Sequence, residues 1–236
     1  MEHSQFLRTE MILGENSTEN LSNKNVILFG LGGVGSYTAE ALARAGIGRI
    51  TIVDNDVVSV TNLNRQLCAL HSTIGKPKVE VVKERILDIN PDCKVTALQK
   101  FYLPENADSI DLSVYDYIVD AIDTVPAKVE LCVRANALNI PIISSMGFGN
   151  KLCPTQVEVA DLSKTSVCPL ARTMRRLLRE KGITHLKTVY SKEIPKVPAC
   201  PMDSSGKPTV ASVAFVPSVA GLVIASEVIK DLSITE

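Results

Sequence analysis

The feature that most constrains this chain is a run of glycines between an apolar segment and a predicted helix. It reads G-L-G-G-V-G, with its glycines at Gly30, Gly32, Gly33 and Gly35. The apolar run before it, residues 26–29, is typical of a buried parallel strand, and residues 34–45 have the spacing of a helix capped by Gly46. Glycines let the backbone approach a phosphate, and the helix N-terminus offers unpaired N–H groups. The run therefore predicts a nucleotide site at a strand–helix junction.

The rest of the chain continues the alternation of apolar runs and helical spacing. Further strands are predicted at 50–53, 95–98, 117–121 and 141–145, a weaker one at 155–160, and helices at 3–13, 17–22, 78–89, 126–138, 168–181 and 217–231. Strands and helices that alternate in this way form βαβ units. The predicted fold class is α/β: a Rossmann-like, doubly wound, mostly parallel sheet with helices on both faces. Aromatic content of 4%, without Trp, fits an aliphatic core.

Composition excludes several other classes of protein. At 45% hydrophobic and 22% charged, the chain is neither disordered nor collagen-like. A net charge of −1 removes any argument from overall basicity for nucleic-acid binding, although a local patch stays possible. No leader pattern and no apolar run of about 18 residues is visible. We expect a cytoplasmic protein with no membrane partner, folded as a single domain over 1–236, with 191–209 as a long flexible loop.

Polar side chains crowd the segment that follows the second predicted strand. Asp54 ends that strand, where a carboxylate can accept hydrogen bonds from ribose hydroxyls. The segment after it carries, in order, Asp56, Asn62, Asn64, Arg65 and Gln66, and Lys78 opens the next helix. An arginine and a lysine can contact phosphoryl oxygens, and the amides can orient a triphosphate. The alternatives are a polar surface loop and, for the glycine motif, a dinucleotide oxidoreductase.

Two acids lie at the end of the fourth predicted strand. Asp120 and Asp123 fall on the same carboxyl edge of the sheet as the glycine run, where ligands bind in open α/β folds. A carboxylate beside bound phosphates is a natural Mg²⁺ ligand. Asp120 has a second interpretation, as the cap of the helix that follows.

Four of these segments together resemble a known family. GLGGVGS, DNDVVSVTNLNRQ, GKPKVE and DAIDT look like the adenylating domain of ubiquitin-activating-type (ThiF-like) enzymes, and the similarity spans nearly the whole chain. The resemblance implies one ATP-binding adenylating domain of ligase type. By that resemblance Asp54 holds the ribose, Arg65 and Lys78 contact the triphosphate, and Asp123 coordinates Mg²⁺. Arg8 matches an arginine that enters the partner protomer's site, which implies a homodimer; by itself, Arg8 would be a surface helix residue.

Departures from the family pattern favour one subfamily. Sulfur-carrier adenylyltransferases typically have two C-x-x-C pairs that bind zinc, and this chain has none. Segments such as EALARAGIGRITIVD and VADLSKTSVCPLARTMRRLLRE instead look like the tRNA threonylcarbamoyladenosine dehydratases. That resemblance implies ATP-dependent cyclisation of the threonylcarbamoyl group on tRNA. The alternative is activation of the C-terminal Gly-Gly of a ubiquitin-like sulfur carrier, with a sulfur-relay or sulfur-carrier partner. A non-catalytic nucleotide sensor is also open.

A basic helix gives a candidate surface for tRNA. Four arginines fall on one broad face of the predicted helix 168–181: Arg172, Arg175, Arg176 and Arg179. A row of guanidinium groups can contact tRNA phosphates, and the alternative is a solvated helix face. Cys200, in the predicted loop, is a candidate nucleophile, although the cyclisation requires no covalent enzyme intermediate.

Overall fold

The protein is described by a computed structural model over residues 4–199, 202 and 210–233. Within these residues seven strands form one sheet: β1 (Asn25–Phe29), β2 (Arg49–Val53), β3 (Lys94–Leu98), β4 (Tyr117–Asp120), β5 (Ile142–Ser145), β6 (Val157–Asp161) and β7 (Lys187–Ser191). Their order in space is β3-β2-β1-β4-β5-β7-β6. Neighbouring strands are parallel except β6, which pairs antiparallel with β7. Because the order runs outward from β1 in both directions, the sheet is doubly wound, and the predicted fold class is confirmed.

The helices follow the predicted pattern closely. They are α1 (Leu7–Leu13), α2 (Ser17–Ser22), α3 (Gly35–Ala45), α4 (Lys78–Ile89), α5 (Val125–Leu138), α6 (Pro169–Glu180) and α7 (Phe215–Ser233). Gly46 ends α3 in the left-handed conformation, with a φ of 93°, as the glycine cap predicted. Helix α7 begins at Phe215, two residues earlier than predicted, and α1 begins at Leu7, four residues later than predicted.

Alternate residues of β1 separate two apolar layers. Val26 and Leu28 pack in a cluster that includes side chains of α3, α4 and α7. Ile27 and Phe29 face the other way, into a cluster with Leu131 and other side chains of α5. A strand turns successive side chains to opposite faces, so helices cover both faces of this sheet and its central strands are buried.

Strand β7 is the element that the sequence did not predict. It reads K-T-V-Y-S, and Thr188 and Ser191 are buried although they are polar. The Thr188 hydroxyl donates to the Ala160 carbonyl at 2.9 Å, which satisfies it inside the protein. The predicted long loop 191–209 therefore starts one residue too early, since Ser191 is the last residue of β7. Most of that loop's second half, Cys200 included, lies outside the described residues.

The carboxyl ends of β1, β2 and β4 lie side by side. Phe29 at the end of β1 is level with Val53 of β2 and with Asp120 of β4. The segments that follow these strands, namely the glycine loop, the polar segment and the acidic pair, therefore meet at one edge of the sheet. In the described ranges, no helix has both the length and the apolar character needed to span a membrane.

Candidate nucleotide-binding site

The glycine loop turns too tightly for any side chain at two of its positions. A Cβ at Gly30, whose φ is 90°, would lie 2.5 Å from the carbonyl oxygen of Ala121. A Cβ at Gly35 would lie 1.8 Å from the carbonyl oxygen of Gly30. At Gly32 the nearest atom to a Cβ would be 3.9 Å away, on Gln66. The loop is thus closed against β4 on one side and open at Gly32, where a ligand can approach the backbone.

Asp54 is fixed beside this loop by backbone hydrogen bonds. Its Oδ2 accepts the N–H of Leu31 at 2.6 Å, and its Oδ1 accepts the N–H of Asp56 at 2.8 Å. Each carboxylate oxygen has a second lone pair that can accept another hydrogen bond. The structure therefore places Asp54 against the glycine loop, with acceptor capacity left for a further hydrogen bond.

Lys78 is buried at the same edge and forms an ion pair. Its Nζ lies 2.8 Å from Oδ2 of Asp56, and its own N–H donates to the Asp56 carbonyl at 3.0 Å. Asp56 is exposed, so the pair has one buried and one solvated partner. The structure brings both predicted residues together, with Asp56 as the group that holds the lysine in place.

Arg65 and its two asparagine neighbours form a hydrogen-bonded turn beside the loop. Arg65 Nη1 donates to the Thr61 carbonyl and to Asn64 Oδ1, both at 2.9 Å. Asn64 Nδ2 donates to the carbonyl of Ser212, just before α7, at 3.0 Å. Asn62 Oδ1 accepts the N–H of Ser59 at 3.0 Å, so the side-chain oxygen of Asn62 caps this turn. Arg65 is thus pre-oriented, whereas Asn62 shapes the backbone.

Gln66 is the member of the set with an unmet hydrogen-bonding group. The side chain is buried against the glycine loop, and its Oε1 has no partner within the described part of the chain. A buried amide oxygen without a partner is uncommon in folded proteins. The Nε2 atom of the same amide group would lie 3.9 Å from a Cβ at Gly32, at the open side of the loop.

The two acids at the carboxyl end of β4 have opposite surroundings. Asp120 is fully buried: its Oδ2 accepts from Lys128 Nζ at 2.8 Å and from Ser144 Oγ at 2.5 Å. Asp123 is exposed, with one long contact from the Thr124 hydroxyl at 3.4 Å. Helix α5 has Thr124 at its cap position, without a side-chain cap. The interpretation of Asp120 as a helix cap is therefore wrong, because its carboxylate is used in a buried ion pair.

Lys128 is the residue of this edge that sequence reasoning missed. A lysine inside a helix ordinarily indicates a solvated face. The position of Lys128 in the helix could have indicated its burial. It is the fourth residue of α5, and it lies on the side of the helix that faces β4 and β5.

Arg8 is not brought to this edge of its own chain. The ring of the nearby Phe6 would lie 3.5 Å from a Cβ at Gly46, at the C-terminal end of α3. The glycine loop is at the other end of that helix, about 16 Å away along the axis. Arg8 itself is exposed on α1.

The basic helix separates its four arginines into two groups. Arg175 turns inward, where Nε donates to the Leu162 carbonyl at 3.0 Å and Nη2 donates to the Thr165 carbonyl at 2.7 Å. The exposed members are Arg172, Arg176 and Arg179. All four line a shallow surface groove of about 400 Å³ together with Glu180. Arg175 therefore anchors α6, a role that differs from the predicted phosphate contact.

Metal-ligating side chains are sparse in the described ranges. No group of three or more His, Cys, Asp or Glu residues gathers there in a geometry that could hold an ion. The described cysteines are all free thiols: Cys68, Cys93, Cys132, Cys153 and Cys168. Burial raises the pKa of the Cys68 thiol, although the nearby Lys78 charge opposes the shift.

The fold and this edge define an α/β nucleotide-binding protein of the Rossmann-like class. The family model named ThiF matches residues 4–235, and the chain belongs to the ThiF family. The resemblance predicted from the four motifs is thereby confirmed.

One relative in sequence and one solved structure show which members of the family this chain is most usefully compared with. A tRNA threonylcarbamoyladenosine dehydratase of Bacillus subtilis is 44% identical over 239 residues, which cover 97% of this chain and 94% of that protein. The crystal structure of the E. coli tRNA N6-threonylcarbamoyladenosine dehydratase in complex with ATP matches with a TM-score of 0.87 and 37% identity. That match covers 97% of this chain and 93% of the other.

The sulfur-carrier alternative is represented by a more distant relative. The sulfur carrier protein ThiS adenylyltransferase of Escherichia coli is 35% identical over 136 residues, which cover 57% of this chain and 54% of that protein. The predicted dehydratase function is thus the one that the more similar relatives have in their names.

Proposed function

We propose that this protein uses ATP to cyclise the threonylcarbamoyl group of threonylcarbamoyladenosine in tRNA. In the first step a carboxylate oxygen of that group attacks the α-phosphorus of ATP, and pyrophosphate leaves. In the second step a nucleophilic atom of the carbamoyl unit attacks the activated acyl carbon, and AMP leaves with the carboxylate oxygen. The net change in the nucleoside is the loss of one water. The observation that carries the proposal is that Asp54 and Arg65 lie against the glycine loop, which is also packed against Ala121 in the segment that leads to Asp123.

ATP fits the residues at this edge. The open backbone at Gly32 and the N-terminus of α3 suit phosphate oxygens. Asp54 retains acceptor capacity for ribose hydroxyls, and the orphan amide of Gln66 offers a polar contact beside them. Arg65 and Lys78 supply two positive charges that stabilise the charge developing on the phosphoryl groups.

Mg²⁺ fits this edge when the nucleotide supplies part of its coordination. Asp123 is an exposed carboxylate with one weak internal contact, so its oxygens are available to a hard cation. No second acidic or histidine ligand set gathers in the described residues. Phosphate oxygens and water would complete the coordination. When bound, the ion neutralises phosphate charge and so favours departure of pyrophosphate.

The homodimer is part of the proposal because of α1. Met11 and Ile12 on this helix are 79% and 84% exposed, which leaves two large apolar side chains in solvent. Arg8 lies on the same helix and does not reach the nucleotide edge of its own chain. A second copy that covers α1 would bury the apolar side chains and bring Arg8 toward the partner's triphosphate.

We propose that tRNA contacts the exposed arginines of α6. Arg172, Arg176 and Arg179 provide a local positive surface on a chain whose net charge is only −1. Phosphate contacts of this kind position a nucleic acid without reading its sequence.

Mass analysis of the modified nucleoside tests the reaction directly. tRNA that carries threonylcarbamoyladenosine is incubated with the protein, ATP and Mg²⁺, and then digested to nucleosides. We expect a loss of one water from the modified nucleoside, together with release of AMP and pyrophosphate. The control is the Asp123→Asn variant, which should leave the nucleoside unchanged. ATP–pyrophosphate exchange that requires a protein ending in Gly-Gly, with no change in the nucleoside, would instead favour the sulfur-carrier alternative.

A further inference from the structure

Lys128 is a charged side chain that lies wholly inside the protein, beneath the nucleotide edge. Both Lys128 and its ion-pair partner Asp120 have no exposed side-chain surface, and their charged atoms are 2.8 Å apart. A buried ion pair is weak evidence for stability, since the loss of hydration offsets much of the attraction. The contacts of this pair point to a different role.

The Lys128 ammonium joins three segments at the end of the sheet. Besides Asp120 at the end of β4, it donates to the Ser145 carbonyl at the end of β5 at 2.8 Å. Its third contact is the Ile122 carbonyl in the loop that leads to α5, at 3.2 Å. All three ammonium donors thus have an acceptor, and each acceptor belongs to a different segment.

Ile122 is held on both of its backbone groups by this pair. Its carbonyl accepts from Lys128, and its N–H donates to Asp120 Oδ1 at 3.2 Å. The peptide unit of the Ile122 carbonyl is the one that leads directly into Asp123. Because peptide units are planar, fixing this carbonyl restricts the orientation of the Asp123 backbone.

The same loop also touches the glycine loop. The carbonyl of Ala121, one residue before Ile122, is the atom that leaves no space for a Cβ at Gly30. A shift of residues 121–123 would therefore move both the Asp123 carboxylate and the wall that supports the phosphate-binding turn.

We infer that the Lys128–Asp120 pair positions Asp123 for the metal–nucleotide complex. Lys128 acts here through the backbone and does not touch the nucleotide, so it is a positioning residue. The inference rests on the proposed function, because it takes Asp123 as the carboxylate that meets the metal. It adds a residue whose effect should be on metal affinity more than on nucleotide affinity.

The test compares metal binding by three variants with that of the unaltered protein. Lys128→Met keeps the length of the side chain and removes its charge and donors. The matched control is Lys151→Met, since Lys151 is also buried and its ammonium donates to the Ser191 carbonyl, at the end of β7. Asp123→Asn tests the metal ligand itself. Bound Mn²⁺ is measured by electron paramagnetic resonance in the presence of a non-hydrolysable ATP analogue, and analogue affinity is measured without metal.

We expect Lys128→Met to weaken Mn²⁺ binding about tenfold or more, because a misplaced ligand loses most of its benefit. Metal-free affinity for the analogue should change by less than about threefold, and Lys151→Met should bind Mn²⁺ as the unaltered protein does. Unchanged Mn²⁺ affinity in a folded Lys128→Met variant, with weakened binding in Asp123→Asn, would overturn this inference alone. Unchanged affinity in Asp123→Asn would overturn the metal assignment of the proposed function.

A double variant keeps the test decisive if the single one does not fold. Lys128→Met leaves the Asp120 carboxylate buried without a counter-charge, which is strongly destabilising. Asp120→Asn with Lys128→Met removes both charges, and the asparagine still accepts from Ser144. We expect this double variant to fold and to show the same loss of Mn²⁺ affinity. A folded double variant with unaltered Mn²⁺ affinity would refute the positioning role.

Discussion

Alanine substitutions at Gly35 and Gly32 in the glycine loop should have different effects, the first on stability and the second on ATP affinity. At Gly35 the new Cβ would lie 1.8 Å from the Gly30 carbonyl oxygen, whereas real Cβ contacts are essentially never shorter than 3.0 Å. The start of α3 must then move by about 1.2 Å relative to the loop. At Gly32 the same methyl group meets nothing within 3.9 Å and its φ lies outside the left-handed region. The two substitutions therefore separate packing of the loop from access to it.

The expected free-energy changes follow from these distances. Overpacking in a tight site costs about 3 kcal/mol at the upper end of the usual range. The higher helix propensity of alanine offsets up to about 1 kcal/mol of this cost, because Gly35 is the first residue of α3. We expect Gly35→Ala to lower the free energy of unfolding by about 2 kcal/mol or more, which is roughly 4–8 °C in Tm for a chain of this size. Gly32→Ala should change it by less than about 0.5 kcal/mol.

Urea unfolding and ATP titration distinguish the two outcomes. Gly32→Ala should stay folded but lose about tenfold or more in ATP affinity, because its methyl group occupies the space through which a phosphate approaches the backbone. A Gly35→Ala variant as stable as the unaltered protein would refute the close approach of Gly30 and Gly35. A Gly32→Ala variant with full ATP affinity would refute the placement of phosphate at this loop.

Three further predictions concern the dimer, the tRNA surface and a buried lysine. The Arg8→Ala and Asp123→Ala chains should each be inactive alone, but an equal mixture that has exchanged subunits should regain about a quarter of full activity. Half of the dimers are then mixed, and each mixed dimer has one intact site out of two. No recovery of activity would contradict a site shared between subunits. Arg176→Gln should reduce the slope of log tRNA affinity against log salt concentration by up to about 0.9. The control is Arg44→Gln, because Arg44, like Arg176, is exposed and forms an ion pair with a glutamate one helical turn away; its slope should not change. Equal slopes for the two variants would exclude Arg176 from the tRNA surface. Burial lowers the pKa of Lys151, so its contribution to stability is fully present above about 10.4 and is lost as pH falls through the lower folded value. The unfolding free energy of the unaltered protein, measured against Lys151→Met, should therefore rise with pH across that window, and a constant difference would contradict the shift.

The sequence predicted the central fold because its signals there are local. Apolar runs such as residues 26–29 and 50–53 are buried on both faces, and they match β1 and β2 within a residue. The failure at β7 has the opposite cause. Thr188 and Ser191 are buried and polar: the Thr188 hydroxyl donates to the Ala160 carbonyl on β6, and the Ser191 hydroxyl oxygen accepts the N–H of Glu193. A short strand with polar side chains among its buried residues has no periodic apolar signal to detect.

For the candidate site too, the sequence predicted what depends on local position and missed what depends on contacts between distant segments. The places of Asp54 and Lys78 in the fold could be predicted because one directly follows a strand and the other begins a helix. Arg175 was grouped with the other arginines of α6 because helical spacing places all four on one broad face. Only the structure shows that its guanidinium is used by the carbonyls of Leu162 and Thr165, which lie outside the helix.

The acids at Asp120 and Asp123 show how burial divides chemically identical residues. Asp120 is the last residue of β4 and Asp123 comes three residues later, and the local sequence gives no sign that one is buried and the other exposed. Once Asp120 is buried, its charge requires a partner inside the protein, and Lys128 supplies it at 2.8 Å. Asp123, three residues on, has left the sheet and lies in solvent, where a carboxylate keeps its capacity to bind a cation. The buried acid and its lysine hold the loop that leads to the exposed acid, so loss of either carboxylate charge should impair the proposed metal site by a different route.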